Sequence, residues 1–260
     1  MFVDTHAHID YSLFDDDRTA MLERAWTGGV EFIVTIGIDM ESCERAIRLA
    51  DEHEHIFAAV GLHPTDAVKA DDFTFRRLEE LAGHPKVVAI GETGLDYHWP
   101  DSPRDVQETV FRESIRLACR LDLPIIIHNR EADTDVIRVL ADEKKTRGLQ
   151  NLRGIMHCFS GDEKMLTESI DLGFYISFAG NLTYKKSRLP DVAARVPLSK
   201  MLIETDAPFL PPVPMRGKRN EPAYVTHTAQ KLAEVRNMAV EDIGQVTSKN
   251  ARAVFGIGVK

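Results

Sequence analysis

Short apolar segments alternate with longer amphipathic segments along the whole chain. The apolar segments are rich in Val, Ile and Phe, which favour strands, and most of them end in polar residues. We predict strands at residues 2–9, 31–38, 56–64, 86–94, 124–130, 154–160, 174–181 and 200–206. The intervening segments repeat apolar residues at helical spacing, as Met21, Leu22 and Ala25 do. We therefore predict helices at residues 15–26, 39–54, 71–82, 131–145, 162–172, 185–195, 222–236 and 240–255, and a long helix that starts within residues 101–104 and runs to 122.

This alternation predicts a parallel sheet, because a right-handed crossover through a helix brings each strand back in the same direction. The length of 260 residues is close to the roughly 250 residues of an eightfold β/α barrel. We predict an α/β fold, with a single (β/α)8 TIM-type barrel domain over residues 1–260 and a C-terminal extra helix. An open doubly wound sheet is the alternative. Its first turn would carry a glycine-rich loop, where this chain has His6 and His8.

Composition narrows the class of protein. Hydrophobic residues make up 43% of the chain and charged residues 28%, as in a globular protein with a sizeable core. The net charge of −9 argues against broad adhesion to nucleic acid or to an anionic membrane, but it does not exclude a phosphate met by local cations. Three cysteines without C-x-x-C spacing give no disulfide framework, and no apolar run is long enough to cross a membrane. We expect a cytoplasmic monomer with no membrane contact.

Polar residues gather at the predicted carboxyl ends of the strands. That face builds the active sites of β/α barrels, whereas histidines that only satisfy a core would be scattered along the elements. The strand-end residues are His6, His8, His63, Glu92, His128, His157, Glu204 and Asp206. Imidazole nitrogens and carboxylate oxygens together suit Mg, Mn or Zn and do not choose among them. The pattern predicts a site for one or two divalent metal ions.

Glu92 and Asp206 have the chemistry of catalytic residues at such a site. A carboxylate between histidine-rich strand ends can bridge two cations, which would lie roughly 3.5–4 Å apart. Asp206 can serve as a metal ligand or as the general base for an attacking water. Glu204 shares its strand face, so we expect it one layer deeper, in a supporting role. Cys158, next to His157, should point to the opposite face as a buried, inert thiol.

Three residues are candidates for binding a substrate phosphate. Arg130 lies two residues after His128 on the same strand face, and His63 ends the third predicted strand. Arg216 belongs to a basic cluster at residues 216–219, in the loop after the last strand. The alternative interpretation of this cluster is a set of solvated loop charges.

Seven short motifs are spread over the whole chain: residues 4–8 (DTHAH), 61–64 (GLHP), 91–96 (GETGLD), 128–130 (HNR), 157–161 (HCFSG), 204–208 (ETDAP) and 216–222 (RGKRNEP). Together they resemble the TatD-like metal-dependent hydrolases of the amidohydrolase superfamily. The resemblance implies a TIM-type barrel, one or two divalent ions, and the metal ligands His6, His8, Glu92, His128, His157 and Asp206. Other branches of the superfamily use a carboxylated lysine where this chain has Glu92. Some relatives are expected to have a histidine at the position of Met215. This difference affects loop contacts to the substrate and leaves the metal ligands unchanged.

The resemblance also implies a deoxyribonuclease, because several members of that family are magnesium-dependent exonucleases acting from the 3′ end of single strands. We expect a phosphodiesterase that hydrolyses DNA, a 3′-to-5′ exodeoxyribonuclease whose partner is a DNA strand end. Two alternatives stay open. One is a small-molecule amidohydrolase that cleaves an amide, ester or lactone at the same metal site. The other is a non-catalytic metal-holding scaffold.

Overall fold

The computed structural model describes residues 1–99 and 101–258. Eight parallel strands are hydrogen-bonded in sequence order. They are β1 (Phe2–Ala7), β2 (Val30–Ile36), β3 (Ile56–Val60), β4 (Val87–Asp96), β5 (Ile125–Arg130), β6 (Gly154–Met156), β7 (Tyr175–Phe178) and β8 (Met201–Ile203). After β8, the Asp206 N–H donates to the His6 carbonyl at 2.9 Å, and the His8 N–H donates to the Ala207 carbonyl at 2.7 Å. These bonds nearly close the barrel, so the predicted fold class is confirmed.

Helices connect the strands and surround the barrel. In the described residues they are α1 (Arg18–Thr27), α2 (Met40–Glu52), α3 (Thr74–Ala82), α4 (Arg104–Arg120), α5 (Asp133–Thr146), α6 (Glu163–Asp171), α7 (Leu189–Ala193), α8 (Val225–Arg236) and α9 (Val240–Phe255). α8 completes the alternation, and α9 is the predicted extra helix. Over the same described ranges, no helix is both long enough and apolar enough for a membrane crossing.

Several elements differ in length from the predictions. β6 ends at Met156 and β8 at Ile203, because the chain then turns out of the ladder: Cys158 and Asp206 have φ values of 42° and 56°. α7 is limited to Leu189–Ala193, with Pro190 in its first turn, where a missing N–H is tolerated. α2 begins as predicted, since the Asp39 carboxylate accepts a hydrogen bond from the Ser42 N–H at 2.7 Å.

The barrel interior has two layers along β5 and along the segment that begins with β6. Ile126 and Ile155 belong to an apolar cluster that also contains Phe255 of α9, a helix that packs against β1 and β8. Two residues further along the same chain segments stand His128 and His157. Because side chains alternate between faces with period 2, the apolar layer lies directly below the polar one.

Candidate metal centre

All six predicted metal ligands meet at the carboxyl end of the barrel, here called the mouth. They are His6 in β1, His8 directly after it, Glu92 in β4, His128 in β5, His157 directly after β6, and Asp206 beyond β8. The short loops after β6 and β8 therefore carry two of these side chains.

Glu92 lies within β4 and not at the strand end where we expected it, because β4 continues past it. The pairing of β4 with β5 shifts register between Ile90 and Thr93, which takes Glu92 out of the regular ladder. Gly91 makes this approach possible. A Cβ atom at Gly91 would lie 2.6 Å from the Ile126 carbonyl oxygen, so only glycine fits there.

The two carboxylate oxygens of Glu92 face two different pairs of histidines. Oε2 is 3.3 Å from His6 Nε2 and 3.7 Å from His8 Nε2. Oε1 is 2.7 Å from His128 Nδ1 and 2.8 Å from His157 Nε2. Glu92 thus stands between two groups of nitrogen donors.

Asp206 completes the group around His6 and His8. Its Oδ1 is 3.5 Å from His8 Nε2 and 3.8 Å from His6 Nε2. The other ring nitrogen of His8, Nδ1, lies 3.2 Å from the Ile36 carbonyl oxygen, which fixes the ring orientation and leaves Nε2 for the mouth.

Outer carboxylates orient the histidines of the second group. His157 Nδ1 is 3.3 Å from Glu204 Oε1, and the same oxygen accepts the Cys158 N–H at 2.6 Å. His128 Nε2 is 3.0 Å from Asp96 Oδ2. Glu204 is fully buried below His157, in the deeper position that the alternation predicts.

Charge inside the cluster favours an ionised Glu92. Burial opposes ionisation of this carboxyl, but the charge of His157 and the hydrogen bond from His128 outweigh it and hold the pKa of Glu92 well below its ordinary value. Burial lowers the pKa of His6, and His157 adds to that effect. Burial also lowers the pKa of His63 to about 4. His6 and His63 are therefore neutral imidazoles at pH 7.

The residues fit a divalent cation. Both ring nitrogens of His6 are buried and lack a hydrogen-bond partner within the described part of the chain. Three groups bring ligand atoms within 4.8 Å of one another: His6 with His8 and Asp206, His63 with Glu92 and His128, and His6 with His157 and Glu204. Imidazole nitrogen with carboxylate oxygen is a donor set for borderline and hard ions, which includes Mg, Mn and Zn.

The cluster forms the floor of an open cavity of about 710 Å³. His63 lines it, with Nε2 3.7 Å from Glu92 Oε1. Arg130 also lines it, and its guanidinium lies 5.7 Å from the centre of the Trp99 ring. The structure therefore places two of the three phosphate candidates at the mouth.

The basic cluster at residues 216–219 lies outside the described cavity lining. The Arg216 guanidinium is 4.0 Å from the centre of the Tyr184 ring. Arg219 forms two hydrogen bonds of 2.8 Å with the Asp17 carboxylate, so its charge is neutralised within the protein. Neither arginine reaches the cavity.

Comparison with known proteins identifies the family. The sequence profile described as TatD related DNase matches residues 3–256. This chain belongs to that family. A Bacillus subtilis protein named uncharacterized metal-dependent hydrolase YabD is 45% identical over 258 residues, 99% of this chain and 100% of that protein. The Mycobacterium tuberculosis protein named uncharacterized metal-dependent hydrolase TatD is 39% identical over 264 residues, 98% of each chain.

A solved structure agrees with the sequence relatives. The Escherichia coli TatD homologue YjjV superposes with a TM-score of 0.91 at 32% identity and 98% coverage of each chain. The resemblance drawn from the motifs is therefore confirmed, and the chain is a member of a family whose relatives are named metal-dependent hydrolases.

The TatD-family cavity also contains side chains that sequence reasoning did not assign. They are Tyr11, Trp99, Asn181 and Phe209. Trp99 and Phe209 each stand three residues after an acidic residue of a strand-end motif, a spacing that could have identified them. Cys158 lines the cavity too, which corrects the expectation that it faces away, because its positive φ of 42° turns the chain after β6.

Proposed function

We propose that this chain is a divalent-metal-dependent phosphodiesterase that hydrolyses DNA, a 3′-to-5′ exodeoxyribonuclease that trims strand ends. One observation carries the proposal: the two oxygens of Glu92 face separate histidine pairs, His6 with His8 and His128 with His157. A shared carboxylate of this kind suits two-metal sites, which stabilise both the attacking and the leaving oxygen of a phosphoryl displacement. The DNase description of the family supports the substrate class.

The donor atoms divide into two groups. The first is His6, His8, Asp206 and Glu92 Oε2, and the second is His128, His157 and Glu92 Oε1. Bound Mg, Mn or Zn would supply Lewis-acid stabilisation of the charge that develops on the phosphoryl group. Glu204 and Asp96 would keep the rings of His157 and His128 oriented toward Glu92.

Asp206 would orient the attacking water and accept its proton. Its side chain is 13% exposed and lines the cavity, so a carboxylate oxygen is within reach of solvent. Burial opposes ionisation, but the hydrogen bond from His8 outweighs it and holds the pKa of Asp206 below its ordinary value. The group is therefore ionised at neutral pH, as a general base must be.

Arg130 and His63 would bind the phosphate. Arg130 leans over the cavity two residues after His128 and can donate two parallel hydrogen bonds to a phosphate. Arg216 is exposed beside Tyr184, so it would meet only a part of the strand that lies outside the cavity. With few phosphates contacted, binding should depend only weakly on salt.

The test is hydrolysis of end-labelled single-stranded and duplex DNA by metal-stripped protein, repeated with Mg, Mn and Zn. Asp206→Asn should reduce turnover by about 10²–10⁴-fold and keep the fold, as judged by circular dichroism. Asp171→Asn, an exposed change on α6, is the matched control and should keep full activity. A 5′-labelled strand should give a shrinking ladder, and a 3′-labelled strand should release labelled mononucleotide at once.

The other outcomes reject parts of the proposal. A ladder from the 3′-labelled strand would reverse the polarity, and internal fragments would indicate an endonuclease. An active, folded Asp206→Asn protein would remove its assigned role. No cleavage by folded, metal-loaded protein would shift the assignment to an amide, ester or lactone substrate.

A further inference from the structure

Two exposed aromatic side chains stand on opposite sides of the mouth. Trp99 is 50% exposed and Phe209 is 46% exposed, and both line the cavity. Trp99 follows β4 and Phe209 follows β8. In a ring of eight strands in sequence order, β4 and β8 lie across the barrel from each other, so the candidate metal centre lies between the two rings.

Both aromatic residues are held by the loops that build the metal centre. Asp96 Oδ1, on the carboxylate that orients His128, accepts the Trp99 N–H at 3.1 Å. The Phe209 N–H donates to the Asp206 carbonyl at 2.8 Å, and Asn220 Nδ2 donates to the Phe209 carbonyl at 2.6 Å. These hydrogen bonds hold the backbone of Trp99 and Phe209 next to the residues of the metal centre.

The neighbouring aromatic rings lie nearly perpendicular to Trp99 and Phe209. His98 lies 4.8 Å from Trp99 with an interplanar angle of 88°. His8 and Tyr11 lie 5.9 Å from Phe209 at angles of 70° and 86°. None of these three rings covers the face of Trp99 or Phe209 in a parallel stack, which is the face that a nucleobase would use.

Charge at the mouth also points to stacking. Among the lining residues that the structure describes, Arg130 is the only arginine or lysine, and two acidic residues, Asp96 and Asp101, lie there outside the proposed metal ligands. The whole chain carries a net charge of −9. A nucleic acid would therefore gain little from backbone electrostatics, the usual source of affinity for nucleic acid.

We infer that Trp99 and Phe209 are two stacking platforms for bases of a single-stranded DNA end, one on each side of the phosphate to be cleaved. The inference rests on the proposed function and specifies how the substrate is held. The Arg130 guanidinium lies over one face of the Trp99 ring, 5.7 Å from its centre, so a phosphate contact would stand on that face and a base would use the other. Bases in a duplex are already stacked and paired, so the site should favour single strands.

The first test compares Trp99→Ala and Phe209→Ala on a short single strand and on the same strand with abasic terminal nucleotides. Each variant should raise the KM for the intact strand by about five- to 150-fold, the loss of one base–aromatic stack. The KM for the abasic strand should be the same in variant and wild type. Trp99→Phe and Phe209→Tyr should restore most of the affinity. Phe73→Ala, which removes an aromatic ring 66% exposed outside the described cavity lining, is the control.

A second test measures binding apart from turnover. The chain has two tryptophans, so Trp26→Phe leaves Trp99 as the sole indole reporter. Rapid mixing of this metal-loaded variant with an intact strand should quench the fluorescence before cleavage, and an abasic strand should quench it far less. Quenching with no cleavage under any metal would support stacking and reject the proposed hydrolysis.

Three results would overturn the inference. One is DNA cleavage with neither base-dependent quenching nor a change in KM in the alanine variants, in which case the proposed function still stands. Another is an equal rise in KM for intact and abasic strands. The third is a wild-type dimer that Trp99→Ala with Phe209→Ala converts to monomer in sedimentation, because the rings would then be a contact between copies of this chain.

Discussion

The two ends of the barrel use the same chain segments for opposite purposes. Toward the amino-terminal end, Ile126 and Ile155 pack with Phe255 of α9 in a continuous apolar cluster. At the mouth, two residues later, His128 and His157 surround a buried carboxylate. A step of one side-chain period therefore separates the layer that stabilises the fold from the layer that we propose performs the chemistry.

Unpaired buried polar atoms also distinguish the mouth from the apolar end of the barrel. In the described part of the chain, buried polar atoms without a partner include both ring nitrogens of His6 and Glu204 Oε2. An unsatisfied buried polar group costs about 1–3 kcal/mol, so these atoms lower stability when no ligand is bound. Binding of a cation should offset part of the cost, because it stabilises the folded state.

The largest loss of activity should follow a change at the centre of the mouth. Glu92→Gln keeps the size of the side chain and removes the charge that both histidine pairs share. We expect activity on DNA to fall by about 10²–10³-fold or more, as for loss of an electrostatic group at a reacting centre. Metal content after dialysis should fall with it. Glu23→Gln, an exposed change on α1, should alter neither quantity, and a fully active Glu92→Gln protein would contradict the bridging role.

The next prediction compares the two layers along one chain segment, β6 and the residue that follows it. Ile155→Ala should lower the free energy of unfolding by about 2–5 kcal/mol, because it leaves a cavity in the apolar cluster. Its kcat at a temperature where the protein stays folded should match wild type. His157→Ala should reverse the pattern, with metal retention lost and a smaller change in unfolding. Urea titration and metal analysis measure the two quantities, and a parallel loss of both in each variant would break the distinction.

A smaller loss, of metal affinity, should follow a change in Glu204, which lies beneath the mouth. Glu204→Gln should weaken the hold on the His157 ring and lower metal affinity by about 10–100-fold, as loss of an outer carboxylate does at metal-bound histidines. Calorimetric titration of metal-stripped protein measures this affinity. Activity should return at saturating metal. Unchanged metal affinity would show that Glu204 acts only through the Cys158 N–H.

The sequence predicted the barrel and the meeting of its strand-end residues because both follow from local periodicity. His128 lies two residues after an apolar position of β5, and parallel strands in sequence order bring such positions to one face. The extra helix α9 was predicted with its observed bounds, since its apolar spacing is regular over the whole segment.

The remaining features depend on contacts between distant parts of the chain. Arg219 binds Asp17, 202 positions away in sequence, and no local sequence pattern predicts that pair. Cys158 faces the cavity because of a positive φ, which a non-glycine residue adopts only when surrounding contacts impose it. Apolar residues in loops, such as Trp99 and Phe209, are common on protein surfaces, so their spacing after a strand-end acidic residue gained meaning only once the structure placed them at the mouth.

The smallest change, in the free energy of unfolding, should come from the helices that surround the barrel, here called the helical layer, which belongs to neither end of the barrel. Glu108 of α4 accepts a 2.6 Å hydrogen bond from Arg138 of α5 and a 2.8 Å bond from Arg112. The bonds from Arg138 and Arg112 lower the pKa of Glu108 to about 2 from an ordinary value of 4.5. Because the folded-state pKa is depressed, the stability from this carboxylate is present above about pH 4.5 and is lost as the pH falls toward 2.

The expected contribution is below about 1 kcal/mol, since solvent screens a partly exposed pair. Glu108→Gln should therefore lower the free energy of unfolding slightly at pH 7 and flatten its decline between about pH 5 and pH 2. Urea titrations across that range measure the difference from wild type, while DNA hydrolysis at pH 7 should stay unchanged. An identical pH profile in the variant would remove the assigned contribution. A loss of hydrolysis would couple the helical layer to the mouth, so the two-layer distinction would no longer hold for the protein as a whole.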